Sequence, residues 1–190
     1  MNKNIYFATA ILLLMSIQGC SALLSATTEE PISDEKDERT TGSFFDDEII
    51  ETKALVNIDK ADPGLAQSHI VVISYNGIVL VAGQVNTEEQ RQLAAQTVAK
   101  IQHVRRVHNE LTLSGTTSML ARSNDTWITT KVKSKFLATS SLEGQRIKVV
   151  TENGVVYLMG LVTKAEADRA ANVARKTAGV QKVVRIFEYI

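Results

Sequence analysis

The sequence predicts an α+β fold made of two tandem copies of one α-β-β-α-β unit. Residues 75–85 return 77 residues later as residues 152–162, with five of eleven positions identical. Each repeat carries an Asn-Gly pair between Val- and Ile-rich runs, and a threonine then opens an alanine-rich segment. Two helices that bury one stripe against a three-stranded mixed sheet form a two-layer sandwich. A unit this small is only marginally stable alone, which favours packing between the two copies.

An amphipathic helix is predicted to open each copy, at about 46–57 and about 125–138. At about 100° per residue, Ile128, Val132 and Phe136 fall on one narrow stripe of the second helix. We expect this stripe to face the hydrophobic core.

A β-hairpin is predicted next in each copy, pairing about 69–75 with 78–84 and about 146–152 with 155–161. Asn-Gly is the dipeptide that best tolerates the positive φ angles of a type I′ turn. The two strands of each hairpin are therefore expected to be antiparallel and joined by that dipeptide.

A second helix and a last strand complete each copy. The helices are predicted at about 87–101 and 164–177, and Thr163 with Glu166 fits a capping box. The last strand is predicted through runs of apolar residues: Val104, Val107 and Leu111 in the first copy, and Val180, Val183, Val184, Ile186 and Phe187 in the second.

The N-terminus is predicted to be a lipoprotein signal peptide, residues 1–19. A short basic start precedes an apolar run over residues 5–17, which is too short to span a bilayer, where about 20 residues are needed. The run ends in Ile17-Gln18-Gly19-Cys20, which resembles the bacterial lipobox. Cys20 is the single cysteine of the chain, and thioether attachment of a diacylglycerol would give this unpaired thiol a role. The alternative is an ordinary signal peptide with a cysteine there by chance.

The chain after the signal peptide is divided by composition and by the repeat. Residues 20–42 are predicted to be a lipidated N-terminus and a flexible acidic tether, because this stretch cannot bury enough apolar surface to order itself. The first domain is expected at 43–112, a junction at 113–123 and the second domain at 124–190. In lipoproteins, a serine after the cysteine, here Ser21, indicates the outer membrane, with the domains in the periplasm.

Composition argues against several classes of function. The 21 basic and 21 acidic residues balance, so no basic excess favours nucleic acid as a partner. His69, His103 and His108 have no cysteine partner and no His-x-x-x-His spacing, so neither a metal site nor a catalytic nucleophile is supported. The Asn-Gly turns lack the glycine spacing of a phosphate-binding loop. We therefore predict a binding protein without a cofactor rather than an enzyme.

Each copy resembles a BON domain, and the second copy resembles it more closely. Residues 155–162 and 178–183 follow the family pattern, whereas the first copy has His103 where the second has Gly179, which predicts an altered exit from its second helix. The whole chain, lipobox included, resembles dual BON-domain outer-membrane lipoproteins, most specifically over residues 123–132. The resemblance implies binding of anionic phospholipid such as phosphatidylglycerol, enrichment at the division site and a role in outer-membrane integrity.

The opening helix of the second copy carries the candidate phospholipid-binding residues. Trp127 and Leu137 fall about 140° from the centre of the core stripe, on opposite flanks, so both are expected to face away from the sheet. An exposed indole suits the headgroup boundary of a bilayer, and lysines beside it favour an anionic surface. The lysines are Lys131, Lys133 and Lys135. The alternative is that Trp127 packs against the first domain or the junction, as buried aromatic residues do at interfaces.

The first copy is expected not to bind lipid, because its opening helix has four acidic residues against one lysine, whereas the second has three lysines against one aspartate. Phe44 and Phe45 are interpreted as an apolar lid on the first core or a contact to the second domain. A different function remains open: the same exposed face or a sheet edge could dock an envelope-assembly protein, such as a component of the barrel-assembly machinery, without direct lipid recognition.

Overall fold

The computed structural model describes residues 40–190, which form two α-β-β-α-β units. The predicted signal peptide, Cys20 and almost all of the predicted tether lie outside the described residues. The helices and strands of the first unit are α1 (Thr41–Ala61), α2 (Pro63–Ala66), β1 (His69–Tyr75), β2 (Ile78–Val85), α3 (Glu88–Ala99) and β3 (Arg106–Leu113). Those of the second unit are α4 (Met119–Ala138), a 3-10 turn (Gly144–Arg146), β4 (Lys148–Glu152), β5 (Val155–Val162), α5 (Lys164–Arg175) and β6 (Lys182–Tyr189).

Each unit has one three-stranded mixed sheet, as predicted. The hairpin strands are antiparallel, and the last strand pairs with the second hairpin strand in parallel. A parallel pair needs a crossover connection, which α3 and α5 supply. Asn76 and Asn153 both have φ near +50°, as a type I′ turn requires, so the predicted turns are confirmed. The predicted α+β class is confirmed as well.

The predicted capping box is present, with the Thr163 hydroxyl accepting from the Glu166 amide and the Glu166 carboxylate accepting from the Thr163 amide. The structure differs from the sequence prediction mainly at the opening helices, which start earlier. Helix α4 begins at Met119, inside the segment expected to be a junction, because Ser118 serves as its N-cap and accepts from the Ala121 amide. Helix α1 begins at Thr41 on the Thr40 N-cap.

The prediction that the chain leaves the second helix of the first copy in a different way, because His103 replaces a glycine, is wrong. His103 has φ +70° and Gly179 has φ +98°, and the residue that follows each donates to a carbonyl three residues earlier. Histidine is among the residues enriched at positive φ, so it reproduces the glycine turn at some cost in strain. The His103 ring also contacts Asp46, with 3.0 Å between Nδ1 and Oδ2.

The two faces of each central strand serve different cores. Val79 and Val81 of β2 pack with α1 and α3, whereas Leu80 and Ala82, on the opposite face, belong to a third cluster shared by the two units. In β5, Val156 and Leu158 face the helices of the second unit, and Tyr157 and Met159 enter the shared cluster. The two sheets therefore pack face to face, with the helices of each unit on the outer sides, and the packing of the copies against each other is confirmed.

Hydrogen bonds and ion pairs also join the two units, in addition to the apolar cluster between the sheets. Glu188 accepts from both terminal nitrogens of Arg105, at 2.6 and 3.1 Å, and from the Asn76 side chain at 2.7 Å. Lys148 donates to Glu51 at 2.8 Å, and the buried Gln84 donates to Glu152 at 2.7 Å. Each bond joins one unit to the other, and the two units together belong to one compact part of the chain.

Candidate membrane-binding site

Helix α4 is fixed to its sheet by the predicted apolar stripe. Ile128, Val132 and Phe136 are fully buried in the core of the second unit. Asp125 is also buried, and its two carboxylate oxygens each accept a backbone N–H, from Asn153 and from Gly154, both at 2.8 Å. These bonds join the helix to the hairpin turn, so the rotation of α4 about its axis is set by both apolar packing and hydrogen bonds.

The outward face of α4 is apolar over much of its length. Trp127 is 60% exposed and Leu137 is 64% exposed, so both lie where the helical wheel predicts. Met119 and Leu120 are exposed to 78% and 81%. Sequence reasoning assigned these two residues to the junction and missed them as part of the face. Ser118 is a common N-cap type, and Leu120 lies seven residues before Trp127, two signals that could have placed it on the same side of the helix.

Lys131 lies beside Trp127, and Lys135 lies one turn beyond Lys131 on the same helix. The Nζ of Lys131 is 5.6 Å from the centroid of the Trp127 ring, a distance at which a cation interacts with an aromatic face. The same Nζ donates to the Ala178 carbonyl at 2.7 Å, and Lys135 Nζ donates to the Lys176 carbonyl at 3.3 Å. Both carbonyls lie just past the C-terminus of α5, where backbone oxygens lack helical partners and attract cations.

Lys133 lies apart from the other two lysines. It is about 120° around the helix from Trp127, on the flank that faces the first unit. There it lines a groove together with Leu137 and with Phe44 of the first unit. The structure therefore places Lys131 beside Trp127, places Lys131 and Lys135 against the backbone that follows α5, and places Lys133 with Leu137 at the boundary between the units.

Most acidic residues of α1 are bonded to other residues, so the two opening helices differ less in solvent-exposed negative charge than the sequence suggests. Asp47 is buried and accepts from the Asn76 and Gly77 amides, as Asp125 does for the equivalent turn. Glu51 pairs with Lys148, and Asp46 contacts His103. On α4, Asp125 is buried, so its exposed or partly exposed charges are those of Arg122 and the three lysines. Helix α4 therefore remains more positively charged than α1, although fewer acidic residues of α1 face solvent than the sequence suggests.

Phe44 and Phe45 do not cover the first core as a lid. They are 47% and 61% exposed and contact each other edge to face, with 5.9 Å between ring centroids. No helix within residues 40–190 is both long and apolar enough to cross a membrane.

The tandem α-β-β-α-β units with face-to-face sheets define a two-domain class. Residues 46–115 and 124–189 match the BON domain, and the chain belongs to the BON-domain family. Over 174 residues it is 38% identical to the outer membrane lipoprotein DolP of Haemophilus influenzae, covering 92% of this chain and 90% of that protein.

Two further relatives match most of the chain. The 21 kDa hemolysin of Actinobacillus pleuropneumoniae is 38% identical over 154 residues, covering 81% of this chain and 79% of that protein. Osmotically-inducible protein Y of Escherichia coli is 30% identical over 148 residues, covering 75% of this chain and 72% of that protein. The predicted pair of BON domains and the predicted likeness to an outer-membrane lipoprotein are thus confirmed.

Proposed function

We propose that this protein is a lipid-anchored outer-membrane lipoprotein that binds anionic phospholipid through helix α4 of its second BON domain. The observation that carries the proposal is the 60% exposed indole of Trp127 with the Lys131 ammonium 5.6 Å from its ring. Through this binding the protein would support outer-membrane integrity and be enriched at the division site, as its resemblance to dual BON-domain lipoproteins implies.

The outward face of α4 suits a helix that lies flat on a bilayer. From Met119 to Leu137 the face extends about 27 Å along the helix axis. Apolar side chains on such a face enter the boundary between headgroups and acyl chains, while the indole N–H stays within reach of water or phosphate. Each lysine near an anionic surface adds about 1 kcal/mol. Their aliphatic stems can lie along the apolar zone.

The predicted anchor at Cys20 supplies the second membrane signal. One protein-bound chain or one surface contact gives weak, reversible attachment, and two signals together give stable attachment. The likeness to a protein named as an outer membrane lipoprotein supports this location. Radiolabelled fatty acid should label the wild-type chain, whereas Cys20→Ala should remain unlabelled.

Vesicle binding tests the proposed function. The chain from residue 20 onward, with Cys20→Ser to prevent lipidation, should cosediment with phosphatidylglycerol vesicles and bind phosphatidylcholine vesicles weakly. Trp127→Glu and Leu120→Glu should each lower binding about tenfold or more, because a charge replaces an apolar group at the headgroup boundary. Lys131→Gln with Lys135→Gln should lower binding to anionic vesicles selectively.

Phe45→Glu is the matched control, because it places the same charge on an exposed apolar position of the first domain. Equal binding by wild type and by both α4 glutamate variants would overturn the proposal. Absence of wild-type binding, with capture of an envelope-assembly protein by the same face, would favour the adaptor function instead.

A further inference from the structure

A groove of about 700 Å³ lies between the two BON domains, beside the outward face of α4. Phe44 and Tyr75 contribute to it from the first domain, and Lys133, Leu137 and Ile147 contribute from the second. Its volume is within the range of ordinary small-ligand pockets, about 300–1,000 Å³. The groove is therefore large enough for one small amphiphile, and it exists only where both domains are present.

Most of the surface inside the groove is apolar, although Glu48, Gln145, Arg146 and Lys148 line it together with Lys133. Tyr75 and Ile147 are buried, whereas Phe44 and Leu137 are exposed to 47% and 64% and stand at the surface. An aromatic and an aliphatic side chain exposed on opposite sides of one groove offer contact to an alkyl chain between them. Burial of such a chain is favoured by the hydrophobic effect at about 0.8 kcal/mol per CH₂ group.

The cations at the groove differ in their partners. Lys148 pairs with Glu51, and Arg146 pairs with Glu143 at 2.9 Å and approaches Glu166 at 3.6 Å. Lys133 makes no hydrogen bond or ion pair to any residue in the described part of the chain. Its ammonium is thus the groove cation left for a ligand, one helical turn before Leu137 and at the edge of the membrane-binding face.

We propose that this groove holds one molecule of anionic phospholipid, with an acyl chain along Phe44, Leu137 and Ile147 and the phosphate at Lys133. The inference rests on the proposed function, because Lys133 and Leu137 belong to both the groove and the candidate membrane face. A lipid fits better than an acidic peptide, such as the segment that precedes Thr40, because the base and walls of the groove are mainly apolar. The second domain alone would lack the aromatic side chains of Phe44 and Tyr75 at this site.

Titration with a short-chain lipid below its critical micelle concentration separates the groove from the bilayer surface. Dihexanoyl phosphatidylglycerol should bind the Cys20→Ser chain from residue 20 saturably and with one molecule per protein, measured by nuclear magnetic resonance. Phe44→Ala should weaken this binding about two- to tenfold, as loss of one aromatic contact does. Phe45→Ala is the matched control, and its binding should stay within about twofold of wild type.

Headgroup preference tests the role of Lys133. Dihexanoyl phosphatidylglycerol should bind about fivefold or more tightly than dihexanoyl phosphatidylcholine, as expected for one charge-assisted contact. Lys133→Gln should abolish that preference, whereas Lys135→Gln should retain it. Trp127→Glu should leave binding of the monomeric lipid unchanged while it lowers vesicle binding.

The outcomes distinguish the two proposals. If vesicles bind and the monomeric lipid does not, or if its chemical-shift changes fall on Leu120 and Trp127 and not on Phe44 and Ile147, the groove site is wrong and the membrane face stands. If the monomeric lipid binds and vesicles do not, the membrane face is wrong.

Discussion

Two buried aspartates determine how the opening helices meet the hairpins. Asp47 and Asp125 occupy equivalent positions in the repeat and accept the amides of the two Asn-Gly turns. The sequence alone predicts two surface charges, because a carboxylate on an amphipathic helix is usually solvated. A carboxylate bonded by two backbone N–H groups is instead part of the fold, and its partner lies about 28 residues further along the chain.

Asp125→Ala should lower the free energy of unfolding by about 2–4 kcal/mol, because it leaves two turn amides without a charged acceptor in a buried place. Asp125→Asn should cost less, since the amide oxygen can still accept one of the two bonds. Urea unfolding measures both values. Asp59→Ala, at an exposed position of α1, is the control and should stay within about 0.5 kcal/mol of wild type. Equal stability of Asp125→Ala and Asp59→Ala would contradict the assigned role.

The turns that follow helices α3 and α5 adopt a similar backbone conformation with two different residue types. Gly179 lies against the core, where an added Cβ would come within 2.9 Å of Ile128 Cγ1. Its φ of +98° is also unfavourable for any residue with a side chain. The first copy reaches the same turn with His103, whose φ of +70° is nearer the left-handed region that histidine tolerates.

Gly179→Ala should therefore destabilise the protein by about 1–2 kcal/mol from backbone strain alone, with a further cost from the contact to Ile128. Gly115→Ala is a matched control, since no atom lies within 4 Å of an added Cβ there. Thermal unfolding of both variants measures the difference. A Gly179→Ala protein as stable as Gly115→Ala would show that the exit adapts without strain.

Much of each element could be predicted from sequence, because the signals are local. Each of these signals involves residues that lie close together in the sequence: the Asn-Gly turns, the capping threonine and the stripe from Ile128 to Phe136. The early start of α4 was missed because Met119 and Leu120 are apolar residues that face solvent. An exposed apolar pair does not continue the pattern that marks a core-facing helix.

The arrangement of the whole molecule depends on contacts between the copies, which no local pattern records. The mainly apolar β2 sequence is typical of a strand covered on both faces, yet it does not say what covers the second face. The other sheet covers it, because its residues Tyr157 and Met159 pack in one cluster with Leu80 and Ala82 of β2. This packing also brings Phe44 of one domain beside Leu137 of the other, so the groove could not be predicted from either domain alone.

Contact between the two sheets should depend on pH through Glu188, whose pKa is held below its ordinary value mainly by hydrogen bonds from Arg105, with a smaller contribution from Asn76. A carboxyl group with a lowered pKa in the folded state stabilises the protein above its unfolded pKa of about 4.3. That stability is lost as the pH falls through the lower folded value. Glu188→Gln should thus reduce stability at pH 7 by up to about 1 kcal/mol, a modest value because Arg105 is half exposed.

The cost of Glu188→Gln should shrink as the pH falls below about 4.3, because wild-type Glu188 then becomes protonated and resembles glutamine. Urea unfolding at pH 7, 5 and 3 would measure the difference between the two proteins at each pH. Asp168→Asn is a matched control: Asp168 also pairs with an arginine, Arg185, but within the second domain, and its side chain is 66% exposed. A Glu188→Gln penalty that stays constant from pH 7 to pH 3 would mean that the charge of Glu188 does not hold the two domains together.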